Sequence, residues 1–196
     1  MRSFEFALKT GVEEEIKAFP DAQLPEYQTA RAAGADFFCA EEVVIPSIWK
    51  GVAHILVPTV LNKVINWVDS FLRDGHSFEE VKDTDKLLKP TLVHTGIKAQ
   101  MNEDEVLELY NRSSNPKKLG LILANGVGVV DSDYYGNQDN DGEIMFAFFN
   151  FKPWDVTIHA GDRIGQGVFK QYLRPQEGLR IKDDERVGGF GSTGGR

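Results

Sequence analysis

Between Asn125 and Gly136 the chain reads N-G-V-G-V-V-D-S-D-Y-Y-G, and Asp131 is the residue there best suited to acid–base work. It leaves a short apolar run, Val127 to Val130, with an aromatic ring, Tyr134, three residues further on. Asn125-Gly126 tolerates positive φ and predicts a tight hairpin before that run, and Val-Gly-Val-Val predicts a strand. Such a stretch can read a flat ligand with its backbone while the carboxylate activates a water beside it. Three further clusters carry polar chemistry. Asn111-Arg112-Ser113-Ser114-Asn115 offers a guanidinium and two hydroxyls in a loop between strands, a set suited to phosphate. Ala33-Gly34-Ala35-Asp36-Phe37 puts a carboxylate at a strand start, and Gly161 to Gln166 is a charged turn entering a strand, with Asp162-Arg163 read as a structural ion pair. The tail from Arg186 to Arg196 has five glycines in eleven residues, so it cannot offset its own ordering entropy and is expected to be mobile alone. Its ring, hydroxyls and arginines could still fold over a ligand.

Short β elements must position these groups. Residues 2–9 alternate apolar and polar, and strand patterns recur over 35–45, 92–97, 106–110, 119–123, 127–130, 144–151, 157–158 and 167–173. Their close spacing, with turn residues between, predicts an all-β barrel or sandwich. Residues 47–90 differ. Val57, Val60, Leu61, Val64, Val68 and Leu72 form a helical stripe, Pro58 suits a first turn, Gly75 suits a C-cap, and Ser77-Phe78-Glu79-Glu80 has capping-box spacing. This reads as a helical insertion, with Trp49, Trp67 and Phe71 read as core in preference to an interface.

At 196 residues the chain fits a single domain, and 41% hydrophobic with 27% charged residues is ordinary for a soluble protein. A net charge of −8 disfavours non-specific binding to nucleic acid or anionic membrane but leaves room for an anionic ligand at a local basic cluster. The lone Cys39 allows no internal disulfide and reads as a small buried side chain; His54, His76, His94 and His159 make no metal-ligand spacing. No signal-peptide core and no apolar run of about 20 residues is present, so a cytoplasmic protein without a membrane span is expected.

Taken in order, A-G-A-D-F, R-S-S, G-V-V-D-S-D-Y-Y-G, G-D-R-I-G-Q and G-G-F-G-S-T-G resemble the five ordered motifs of the trimeric dUTPase family, over about residues 24–46 and 91–193. The resemblance implies a β jelly roll, or distorted barrel, spanning 1–196 as one domain. It would carry the helical insertion at about 47–90 and a mobile C-terminal arm at 184–196. It implies a homotrimer with shared active sites that hydrolyses dUTP to dUMP and pyrophosphate with Mg2+, in the cytoplasm of a bacterium or of a phage's host. Asp131 would be the general base that activates water, and Tyr134 would pack on the deoxyribose. Asn125, with Gly126 and the hairpin backbone, would read uracil. Arg112, Ser113, Ser114 and Gln166 would contact phosphate. Asp36 would lie near the metal's water shell. Phe190 would stack on uracil, Gly191, Ser192 and Thr193 would grip the terminal phosphate, and Arg186 would act as the arm's arginine.

Three features depart from the family pattern. Glu185 stands where the arm arginine is usual, with Arg186 one residue later. The acidic loop 138–143 is longer than usual and reads as a solvated turn. The insertion has no counterpart in the compact family form, and a partner protein is one possible occupant of its surface. Two other activities remain open at this stage: a dCTP deaminase-like enzyme, and a nucleotide-dependent regulatory binder working through 47–90.

Overall fold

The computed structural model describes residues 1–12, 14–53, 56, 60 and 88–177. Among them the regular structure is almost wholly β: β1 (Ser3–Phe6), β2 (Ala35–Phe38), β3 (Val43–Ile45), β4 (Thr91–His94), β5 (Ile97–Gln100), β6 (Glu105–Asn111), β7 (Leu121–Leu123), β8 (Val127–Asp131), β9 (Met145–Asn150), β10 (Val156–Ile158) and β11 (Arg163–Gln171). A four-stranded sheet, β2-β11-β6-β8, packs against a three-stranded one, β4-β9-β7, while β1 pairs with β5 and β10 with β3. All of these ladders are antiparallel. Most strands pair with partners distant in sequence, as in a jelly roll, and the all-β expectation holds.

Period-two alternation builds the core between the two sheets. Leu107 and Leu109 of β6, Phe37 of β2 and Val130 of β8 point inward and meet Val93, Phe146, Phe148, Leu121 and Leu123 from the other sheet. The approach is close where β11 crosses Phe146. A Cβ on Gly165 would lie 2.0 Å from the Phe146 ring, so this position excludes a side chain. Cys39 is buried, as expected, and burial pushes its thiol up to about 11.

Several expectations are corrected. The run 92–97 is two strands, because Gly96 has φ 65 and Thr95 turns its hydroxyl onto the Ile144 carbonyl at 2.6 Å. Asn125-Gly126 does turn the chain, with Gly126 at φ 69, but β7 and β8 do not pair with each other. β7 bonds to β9 and β8 bonds to β6, so this turn carries the chain from one sheet to the other. Trp49 is 51% exposed, not core; its indole N–H donates to the Phe151 carbonyl at 3.1 Å.

Residues 48–53 are helical, and Val60, the one described member of the predicted stripe, is helical and exposed. The rest of the stripe, Pro58, Gly75, the capping box, Trp67 and Phe71 lie outside the described residues, as does the tail with Arg186 and Phe190 to Thr193. Among the described residues no helix is long and apolar enough to cross a membrane.

Candidate active site

The outer face of the four-stranded sheet carries the candidate residues. Cross-strand partners share a face, so the register sets Asp36, Gln166, Tyr110 and Val127 in one row. Lys170, Val106 and Asp131 form a second row towards the other end of the strands. Asp36 and Asp131 therefore occupy opposite corners of one face. Their rows are four residues apart on β6, roughly 13 Å at about 3.3 Å per residue, with two further strands between β2 and β8.

Around Asp36 the polar residues converge. Its carboxylate is 2% exposed although it lies on the outer face, because long side chains cover it. Arg163 Nη1 donates to Oδ2 at 3.0 Å and Gln166 Nε2 donates to Oδ1 at 3.1 Å. Arg112 Nε lies 3.9 Å from Oδ1, and Arg112 Nη1 donates to the Arg163 carbonyl at 2.9 Å. Two asparagines brace this arrangement. The buried Asn115 donates its backbone N–H to the Arg112 carbonyl at 3.0 Å and its amide to Asn111 Oδ1 at 2.8 Å and to the Ile164 carbonyl at 2.7 Å. Asn111 in turn donates to the Leu121 carbonyl at 2.9 Å. The loop bearing Ser113, which is exposed, and Ser114, which is partly covered, is thus tied to β7 and β11. Two guanidiniums and one carboxylate leave a net local charge of +1 on an otherwise acidic chain, which favours a multiply charged anion.

Arg163 is the residue the sequence reading left out of the site. It pairs with Asp36, not with its neighbour Asp162, whose carboxylate accepts from the His159 N–H at 2.9 Å. Asn111 and Asn115, named from the sequence only as the ends of the Arg112 cluster, are its braces; two asparagines four residues apart flanking a charged loop are the sequence signal for that role. Both oxygens of Asp36 are engaged by protein donors, so it is poorly placed as a direct metal ligand. Among the described residues no group of three or more His, Cys, Asp or Glu side chains is arranged to hold a metal ion.

Along β8 and the turn before it the geometry is open. Gly126 bonds back to the Leu123 carbonyl at 3.1 Å and Val127 to the Asn125 carbonyl at 2.7 Å. A Cβ on Gly126 would meet nothing within 4 Å, so this backbone is accessible and glycine is required by φ alone. Asn125 is exposed, as are Val127 and Val129, whereas Gly128 and Val130 face inward. Asp131 ends the strand in extended conformation, exposed, and directly precedes a single 3-10 turn, Ser132–Tyr134. Tyr134 is 6% exposed and belongs to the core cluster, with its hydroxyl donating to the Glu143 carbonyl at 3.0 Å.

The acidic loop after Tyr134 is a packed element and not a solvated turn. Asp141 Oδ2 accepts from the Leu8 N–H and from Lys98 Nζ, each at 2.8 Å. The buried Glu143 accepts from the Gly96 N–H at 3.0 Å and lies 3.0 Å from His94 Nδ1, and that hydrogen bond raises the His94 pKa. Tyr135 donates to Glu5 at 2.6 Å, which pushes the phenol up to about 12 and holds Glu5 below the usual carboxylate range.

Sequence and fold comparisons identify the family. The family model described as dUTPase matches residues 82–194, more than half of the chain. The deoxyuridine 5'-triphosphate nucleotidohydrolase of Lactococcus lactis is 50% identical over 103 residues, covering 53% of this chain and 69% of that protein. The protein of the same name from Wolinella succinogenes is 31% identical over 183 residues, 91% of each chain. The crystal structure of dUTPase from Streptococcus mutans superposes with a TM-score of 0.61 at 32% identity, covering 89% of this chain and 99% of that one. With a family model matched over more than half of its length and a relative 31% identical over 91% of both chains, the chain belongs to the dUTPase family.

Proposed function

We propose that the protein is a dUTP diphosphatase that hydrolyses dUTP to dUMP and pyrophosphate in the cytoplasm. The observation that best supports this is the convergence of Arg112, Arg163 and Gln166 on Asp36, which orients donors for a polyphosphate on the sheet face that also carries Asp131. In this reading Asp131 accepts a proton from a water whose oxygen bonds to the α-phosphorus. The bond from that phosphorus to the bridging oxygen breaks, and pyrophosphate leaves. Arg112, Ser113, Ser114 and Gln166 neutralise and align the phosphates. Asn125 and the open backbone at Gly126 pair with the uracil edge, and Tyr134 walls the deoxyribose. Phe190 with Gly191, Ser192, Thr193 and Arg186 would complete the grip from the C-terminal arm. Mg2+ is expected to arrive on the triphosphate, whose oxygens suit it as ligands, and to supply further charge neutralisation there.

Asp131 and the Asp36 cluster lie too far apart in one chain to serve one nucleotide α-phosphate together, which supports a homotrimer with each site built from more than one chain. Pyrophosphate release from dUTP should greatly exceed that from dTTP, dCTP or UTP. Asp131→Asn should lower kcat by about 10²–10⁴-fold while dUTP remains bound. Full activity in that variant would sink the assignment of the base, and ammonia release from dCTP would favour a deaminase instead.

A further inference from the structure

Tyr134 is gripped by the loop that follows it. Its hydroxyl donates to the Glu143 carbonyl at 3.0 Å and accepts from Asn140 Nδ2 at 2.9 Å. Its backbone carbonyl accepts from Asn137 Nδ2 at 3.3 Å. The two asparagines hold each other, Asn137 Nδ2 donating to Asn140 Oδ1 at 2.8 Å. Asn137 Oδ1 also accepts from the Asp139 and Asn140 N–H groups at 2.9 and 3.2 Å. The chain folds back tightly enough that Asp141 sits at φ 57 and Gly142 at φ 80. A Cβ on Gly142 would lie 2.6 Å from the Tyr134 carbonyl oxygen. Outside this knot, the Leu8 N–H, Lys98 and the Thr10 hydroxyl hold Asp141 and the Asp139 carbonyl.

We propose that Asn140 is a positioning residue for sugar selection: by holding the Tyr134 hydroxyl it keeps that ring from yielding to a ribose 2′-hydroxyl. The inference rests on the role proposed above for Tyr134. Excluding one oxygen atom takes a wall that does not move, since displacements of about 1 Å at a site cost large factors in rate. A tyrosine ring held only by apolar contacts has two torsions with which to rock. Fixed at its far end by a donor and an acceptor that are themselves fixed, it has neither. The long loop 138–143 is then a brace for substrate selection.

The test compares kcat and KM for dUTP and UTP in the full-length wild type and in the Asn140→Ala, Tyr134→Phe and Tyr134→Ala variants, with a melting temperature for each. Asn140→Ala should lower the dUTP-over-UTP ratio of kcat/KM by roughly tenfold, and Tyr134→Phe, which keeps the ring but loses both tethers, should move it the same way. If Asn140→Ala fails to fold, Tyr134→Phe carries the test alone. A lowered melting temperature with an unchanged ratio in both, while Tyr134→Ala abolishes discrimination, overturns the positioning role and leaves Tyr134 as the sugar wall. Discrimination that survives Tyr134→Ala overturns both.

Discussion

Asp36 is a buried charge whose two oxygens end on protein donors, and this decides what its removal does. Asparagine at this position would turn an amide N–H₂ towards Arg163 or Gln166 and leave Arg163 to swing into water, which its 41% side-chain exposure permits. Asp36→Asn should therefore cost about 1–3 kcal/mol in urea unfolding. It should weaken a non-hydrolysable dUTP analogue more than dUMP, because only the triphosphate depends on the full set of aligned donors. The Mg2+ concentration for half-maximal activity should not change if Asp36 only orders these donors; a marked shift would place Asp36 at the metal's water shell. The motif made Asp36, Arg112 and Gln166 legible in the sequence. The partner of Arg163 was not, because adjacent residues at a strand entry point to different sides. Sequence proximity suggested Asp162, whereas Asp36, 127 positions away, is the contact.

The strands were largely readable from period-two alternation, but their partners were not. Asn125-Gly126 announces a turn by its φ preference, yet nothing local says that the strands on either side will join different sheets. The acidic loop was misread for a similar reason. Its carboxylates look solvated until Lys98, the Leu8 N–H, His94 and the Gly96 N–H arrive from distant elements. One of these contacts is open to titration. His94, at the end of β4, packs its ring at a tilt against Phe19, centroids 4.9 Å apart, and hydrogen-bonds Glu143, with Glu41 also favouring its charge. Its folded pKa is raised, so the pair's contribution is fully present below the unfolded value of about 6.5 and fades as pH rises through the folded value. Between about pH 5.5 and 8.5 the urea midpoint of wild type should exceed that of His94→Gln most at the acid end. A gap that widened with rising pH would contradict the pairing.

At the scale of the whole molecule, in the proposed reading both halves of the site lie on one sheet face, too far apart for a single chain to close it. Asp131 and the Asp36–Arg112–Gln166 cluster lie at opposite corners, held apart by the β6 register, which no side-chain change nearby will shift. The motif order in the sequence points to the reaction but does not reveal this separation, because it arises from non-local strand pairing. In the homotrimer proposed above, the Asp131 corner of one chain would meet the cluster of its neighbour. Two dead variants should then repair each other. Asp131→Asn chains keep the cluster and Arg112→Ala chains keep the base, so every mixed trimer contains one interface with both parts intact. Random reassembly at equal amounts makes about three trimers in four mixed, each with one good site in three, so roughly a quarter of wild-type activity should return. Unfolding the two proteins together, refolding them and assaying pyrophosphate release from dUTP measures it, with each variant refolded alone as the baseline. Activity that stays at that baseline, in material whose mass in solution is about three times the 21.9 kDa chain, would mean that each chain completes its own site and that the register argument is wrong.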